Sequence, residues 1–261
     1  MPVELSDQVH IITGAGRGIG LVTAQLVAEG GGIPILIARH PEQIEQAAQA
    51  LRDQGKRAEA VVADVTDAEA VKAMVKHVRA TYGRVDGLVN NAATNHVANL
   101  LMSKEEEWHK LFDLNVFALL RLTKLCLKPM IAAKYGRIVN LSSAAAKVGA
   151  PYNSVYSASK AAVDGFTRSL ALEVAKLGIT VNAVSPSYVD TKLLRLGMEI
   201  RGKMVGQDTE AYIEGVAESN PQKRLLQPRE IAATVVHLLS EDARGVTGQS
   251  WNVCGGVAMG M

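Results

Sequence analysis

QVHIITGAGRGIGLVTAQLVAEGGG, residues 8–32, reads as strand, glycine loop and helix in immediate succession. Gln8–Thr13 is a short apolar run of strand length, and LVTAQLVAE continues at helical spacing until Gly30, Gly31 and Gly32 stop it. Between them lie Gly14, Gly16, Gly18 and Gly20. Glycine lets backbone come close to a pyrophosphate, and a helix start offers unpaired N–H groups at the positive end of its dipole. The G-x-G-x-G-x-G spacing fits more than one nucleotide fingerprint, but strand, loop and helix in this order is the context that a phosphate site requires.

Working outward, apolar runs and helical stretches alternate to the end of the chain. Ile33–Ala38 is a second strand, followed by Arg39 where an NAD-preferring fold often has an acidic residue for the ribose 2′-hydroxyl. With Arg17 in the glycine loop, two guanidiniums are placed to clamp a 2′-phosphate, which favours NADP(H), with NAD(H) as the alternative. AEAVVADV is a third strand ending at Asp64 and Val65; Asp64 is a candidate for adenine contact or for capping, although Asp67 is the better cap. Asp86–Ala93 is a fourth strand running into Asn90 and Asn91, whose amides need partners in a crowded interior: they brace strands or touch cofactor.

Ser103 opens a capping pattern, SKEE, before one long apolar helix interrupted by Asn115, a poor helix former among Leu114, Val116 and Phe117. GITVNAVSP is a sixth strand ended by Pro186 and GQSWNVCGG a last one, while residues 190–225 are poorly periodic and read as a substrate lid. This alternation predicts an α/β fold, a Rossmann-type doubly wound parallel sheet with helices on both faces, as one domain over residues 1–261.

The chemistry gathers in NLSSAAAKVGAPYNSVYSASKA, residues 140–161. Tyr156 and Lys160 are four apart at the head of a long helix, so phenol and ammonium emerge on one face. An adjacent cation favours phenolate and draws a pKa of about 10 toward the working range. Ser143, after the fifth strand, brings a hydroxyl toward the same point.

Composition sets bounds. With 28 basic against 26 acidic residues, no nucleic-acid-binding surface is expected. Two cysteines, Cys126 and Cys254, point to a reducing compartment without a disulfide, and neither a signal peptide nor a membrane span is read, so a cytoplasmic location is expected. His, Cys and carboxylates lack metal-ligand spacing, and no GxSxG surrounds Ser142 and Ser143, which argues against metal or serine-hydrolase chemistry.

TGAGRGIG (13–20), DV (64–65), NNAA (90–93), Asn115, Ser143, YSASK (156–160), NAVSPSYVDT (182–191) and NVCGG (252–256), in this order and spacing, resemble the short-chain dehydrogenase/reductase family over residues 9–256. The ending is similar to that of polyketide ketoreductases. The resemblance implies strand order 3-2-1-4-5-6-7 and commonly a homotetramer. It implies Tyr156 as general acid or base, Lys160 lowering its pKa and holding the nicotinamide ribose, Ser143 bonding the substrate oxygen, and Asn115 fixing a water of a proton relay. Cofactor contacts are implied at Gly14, Gly16, Arg17, Gly18, Ile19, Gly20, Arg39, Asp64, Val65, Asn91, Ala92, Pro186, Val189 and Thr191, beside Tyr156 and Lys160.

Three positions depart from the family pattern: Ala93 and Ser187 stand where it has glycine, and Cys254 where aspartate is frequent. The expected activity is NADP(H)-dependent reduction of a ketone, with 3-oxoacyl thioesters and polyketides as substrate types. Oxidation of a secondary alcohol, sugar or steroid hydroxyl is the alternative, and a non-catalytic nucleotide-binding regulator a remote one. Lys134 and Arg137 are the only hint of a surface for an acyl carrier protein.

Overall fold

The computed structural model describes residues 3–260. Seven strands form one parallel sheet: β1 Val9–Thr13, β2 Ile33–Ala38, β3 Glu59–Val62, β4 Gly87–Asn90, β5 Gly136–Leu141, β6 Ile179–Pro186 and β7 Ser250–Val253. Their spatial order is β3-β2-β1-β4-β5-β6-β7, as expected. The chain reverses its direction of travel between β1 and β4, which opens a crevice at the strands' carboxyl ends.

The core strands are apolar at successive residues because both faces are covered. Ile11, Ile35, Leu88 and Ile138 pack on one side with Val71, Met74, Leu122 and Leu170. Their neighbours Ile12, Leu36, Val89 and Val139 pack on the other with Ala24, Val27, Ala48, Leu51 and Val235. The helices concerned are α1 (Gly18–Glu29), α2 (Pro41–Arg52), α3 (Ala68–Tyr82), α4 (Glu105–Phe112), α5 (Ala118–Ala133), the short α6 (Ala145–Val148) and α7 (Ser154–Val174). After them come α8 (Lys192–Val205), α9 (Thr209–Ser219) and α10 (Pro228–Leu239).

Four expectations need correction. Ser103 does not cap α4: Lys104 holds the cap position, and the Ser103 hydroxyl instead accepts from Trp108 Nε1 and pairs with His96. The long helix around Asn115 is two helices joined by a π turn, Asp113–Phe117. Residues 190–225 are not irregular, for α8 and α9 fill most of them. Arg137 is not a surface cation. It is 3% exposed, pairs with Glu241 at 2.8 Å and donates to the Gly136 and Gly178 carbonyls.

Buried polar side chains tie the layers together. Asn90 Nδ2 donates to Asn140 Oδ1 (2.8 Å) and Thr123 Oγ1 (3.0 Å); Asn140 Nδ2 donates to Thr167 Oγ1 (2.9 Å). This chain joins β4, β5, α5 and α7, so the helix carrying Tyr156 is held in register with the sheet by directional bonds as well as by packing.

His10 in β1 is fully buried with neither ring nitrogen hydrogen-bonded. Burial lowers its pKa from 6.5 to about 4, against the opposing pull of Asp86 and with Arg84 acting in the same direction as burial. The folded chain therefore keeps His10 neutral where the unfolded chain protonates it, so stability is present above pH 6.5 and is lost as pH falls toward 4. Urea unfolding at pH 7.5 and pH 5.0 should show a loss of about 2 kcal/mol from this group. In His10→Leu that pH-dependent loss should shrink; an equal loss in both proteins would refute the assignment.

Candidate active site

The glycine loop lies at the carboxyl end of β1. Gly14 has φ +65°, a left-handed conformation, and Gly20 is so close to the Gly14 carbonyl and Asn91 Nδ2 that a Cβ would come within 2.5 Å of both. Gly14, Gly16, Arg17, Gly18 and Ile19 line a cleft, whereas Gly20 lies behind it as the packing contact that lets loop and helix approach. Arg17 precedes α1 without a side-chain cap, and the first turn of α1 has no acidic residue. Its leading N–H groups are thus available to an anion, which fits the pyrophosphate of a dinucleotide.

Asn91 fixes this loop from the far side of the crevice. Its Nδ2 donates to the Thr13 carbonyl (2.8 Å) and the Gly14 carbonyl (3.2 Å). Thr13 Oγ1 in turn accepts from the Asn91 and Ala92 backbone N–H groups, each at 3.0 Å. Bracing and cleft-lining are combined in Asn91, while its neighbour Asn90 only braces.

The cleft of about 1520 Å³ continues past Arg39, Asp64, Val65 and Ala92. Arg39 is 3.6 Å from Asp64 and stays well exposed, as does Arg17. Partial burial acts to raise the Asp64 pKa, but bonds from Thr66 and the nearby Arg39 prevail and hold it below the usual value. Asp64 is thus a local brace for Thr66 while it faces the cleft, and Asp67 caps α3.

A second cavity of about 1020 Å³ adjoins the first and shares Ile19, Asn91, Ala93 and Thr191 with it. Ser143, Tyr156 and Lys160 line it, together with Pro186 and Val189. The strand end delivers Ser143 and the first turns of α7 deliver the other two. Ser143 Oγ accepts from Ala145 N (3.2 Å) and its side chain hydrogen-bonds Tyr156. Lys160 Nζ donates to the Leu141 carbonyl at 2.7 Å and lies 5.9 Å from the Tyr156 ring centre.

Burial raises the Tyr156 pKa, against the bond with Ser143. Burial also brings Lys160 down from 10.5 to about 8, with Asp164 opposing. Desolvation is the larger cause of both shifts because both groups are enclosed.

Asn115 lines neither cavity. It is 1% exposed, its Oδ1 accepts from Thr94 N (2.9 Å), and its Nδ2 donates to the Thr94 carbonyl (3.0 Å) and Ser159 Oγ (3.2 Å). The π turn thus fastens the loop after β4 to α7, one residue from Lys160. Two departures also find partners: Ser187 Oγ donates to the Cys254 carbonyl (2.9 Å), and Cys254 Sγ accepts from Ala258 N (3.4 Å). Both cysteines are free and buried, and burial pushes the Cys126 thiol up to about 12.

Sequence reasoning missed Thr13 as the loop's anchor and Arg201 as a wall of the cavity. A signal for the latter existed: Leu194, Gly197, Met198 and Arg201 follow helical spacing and all line the cavity.

A parallel sheet with a glycine-loop cleft opening onto serine, tyrosine and lysine defines a nucleotide-dependent oxidoreductase. The short chain dehydrogenase family model matches residues 8–199, and the chain belongs to that family. It is 37% identical over 258 residues to the 3-oxoacyl-[acyl-carrier-protein] reductase FabG of Vibrio cholerae, covering 98% of this chain and 100% of that one. A variant of actinorhodin polyketide ketoreductase with NADPH superposes with a TM-score of 0.94 at 36% identity, covering 97% of this chain and 98% of that one. An NAD+-bound xylitol dehydrogenase superposes with 0.91 at 32% identity, covering 96% and 99%. The protein is an oxidoreductase, and nicotinamide nucleotides are bound by its structural neighbours.

Gly20→Ala should displace the loop from Asn91 and the Gly14 carbonyl. The expected result is at least a roughly tenfold weaker nicotinamide-cofactor Kd by fluorescence titration, with unchanged far-UV circular dichroism. An unaltered Kd would refute the packing role of Gly20.

Proposed function

We propose that this protein reduces a ketone to a secondary alcohol with NADPH. The observation that carries the reading is that Ser143, Tyr156 and Lys160 line one cavity adjoining the glycine-loop cleft, which sets a phenolic proton donor where a substrate carbonyl would meet a bound nicotinamide. Bound NADPH supplies the hydride to the carbonyl carbon. As the carbonyl electron pair moves to oxygen, the Tyr156 hydroxyl gives that oxygen its proton, and Ser143 holds the oxygen by a hydrogen bond. Lys160 lies within the same enclosure to hold the ribose and return charge balance to the phenolate. Asn115 acts through Ser159 and Thr94, positioning the helix turn that bears Lys160.

A dinucleotide would be held by Gly14, Gly16, Arg17, Gly18 and Ile19, with Val65, Asn91 and Ala92 along the same cleft and Pro186, Val189 and Thr191 in the adjoining cavity. Arg17 and Arg39, exposed at the cleft, would clamp the 2′-phosphate of NADP(H) by charge-assisted bonds. Helix α8 forms the wall over the substrate. The names of the relatives bring 3-oxoacyl thioesters and polyketide chains forward as the first substrates to assay. With Arg137 buried, the Lys134–Arg137 surface gives no support to a carrier-protein partner. Two buried free cysteines suit a reducing compartment such as the cytoplasm.

Tyr156→Phe should lower kcat for ketone reduction by about 10²-fold or more while the NADPH Kd holds, read by NADPH absorbance and titration. Retention of most activity would remove the proton-donor assignment. Arg39→Asp should raise KM for NADPH far more than for NADH. Equal changes for the two cofactors would sink the phosphate clamp.

A further inference from the structure

We propose that the ketone accepted by this protein also carries a carboxylate, and that Arg201 on α8 binds it. The inference rests on the ketone-reduction reading and narrows its substrate class. Arg201 is 7% exposed, yet its guanidinium makes no ion pair among the described residues. One hydrogen bond is formed, from NH2 to the Pro151 carbonyl at 3.3 Å, and the buried Nε has no partner. Arginine stays protonated at every accessible pH, and a buried charge without a counter-charge is costly. The chain accepts that cost at the wall of the cavity that holds Ser143, Tyr156 and Lys160.

The surroundings specify the ligand further. Leu194, Met198, Val148 and Val257 line the same cavity, whose lining is largely apolar. Asn95, another lining residue, has a buried Oδ1 without a partner. In such an enclosure charge pairing is far stronger than at a surface, and a guanidinium fork matches the two oxygens of a carboxylate. Arg201 is seven residues beyond Leu194 on one helix, roughly 10 Å along its axis. Arg201 also bridges α8 to the loop at Pro151, so anion binding would join the two sides of the cavity. A merely structural latch would need the Pro151 bond alone and would leave substrate charge irrelevant.

Two readouts separate these roles. Calorimetric titration of the NADPH-loaded protein with octanoate and with methyl octanoate needs no turnover. Octanoate is expected to bind at least about tenfold tighter than the ester. Arg201→Met should abolish that advantage without weakening the ester, whose retained binding also shows that the variant is folded. Arg201→Lys, which keeps charge but loses the fork, should retain part of it.

In turnover, 7-oxooctanoate should have a lower KM than its methyl ester in the parent protein and no advantage in Arg201→Met, with kcat little changed. Acid and ester binding alike, binding of neither, or equal weakening of both in Arg201→Met would overturn the proposal. If ketones are reduced without preference for the acid, this inference fails while ketone reduction stands. If octanoate binds through Arg201 but no ketone is reduced, the carboxylate site stands and the ketone-reduction reading fails.

Discussion

The clasp between Asn91 and the end of β1 is the constraint on which the site depends. A parallel sheet that splits its winding between β1 and β4 has a crevice there and two strand ends with unpaired backbone groups. One amide group donates to the Thr13 and Gly14 carbonyls, and one hydroxyl accepts from two backbone N–H groups of the β4 exit. The glycine loop can then keep the start of α1 uncapped and open to an anion. Gly14 and Gly20 are needed because the clasp leaves no room for a Cβ at either.

From this point directional bonds spread through the interior. Asn90, Asn140, Thr123 and Thr167 link two central strands to α5 and α7, and Asn115 links the loop after β4 to Ser159. Each is a polar group in an apolar core, where a lost partner costs more than a surface contact ever contributes. Tyr156 and Lys160 are aimed by this frame. Their shared burial shifts both groups in opposite directions, raising the phenol and lowering the ammonium.

The helix ends and surfaces show where local reading fell short. Ser103 has the residue type of a cap, but its hydroxyl is taken by Trp108 and His96, partners that no local pattern announces. Asn115 signalled a fault in a helix without revealing a π turn, since that choice depends on Thr94 and Ser159 across space. Arg137 follows a glycine at a strand start and looks like a rim cation. Its burial comes from Glu241 and the Gly178 carbonyl, more than 40 residues away in sequence. The stretch over 190–225 looked irregular because α8 splits its residues between an apolar cavity wall and the solvent, so its periodicity is broken by Arg201.

The sequence by itself determined the α/β architecture, the strand order through its family resemblance, the phosphate loop and the Ser143, Tyr156 and Lys160 set. These are carried by period, by glycine placement and by fixed spacing along a helix, all of which are local. Only the tertiary structure decided which asparagine braces and which faces the cleft, how burial tunes the phenol and the ammonium, and that Arg201 at the cavity wall has no ion pair among the described residues. Such properties come from desolvation and from partners distant in sequence, and both exist only once the layers have closed on one another.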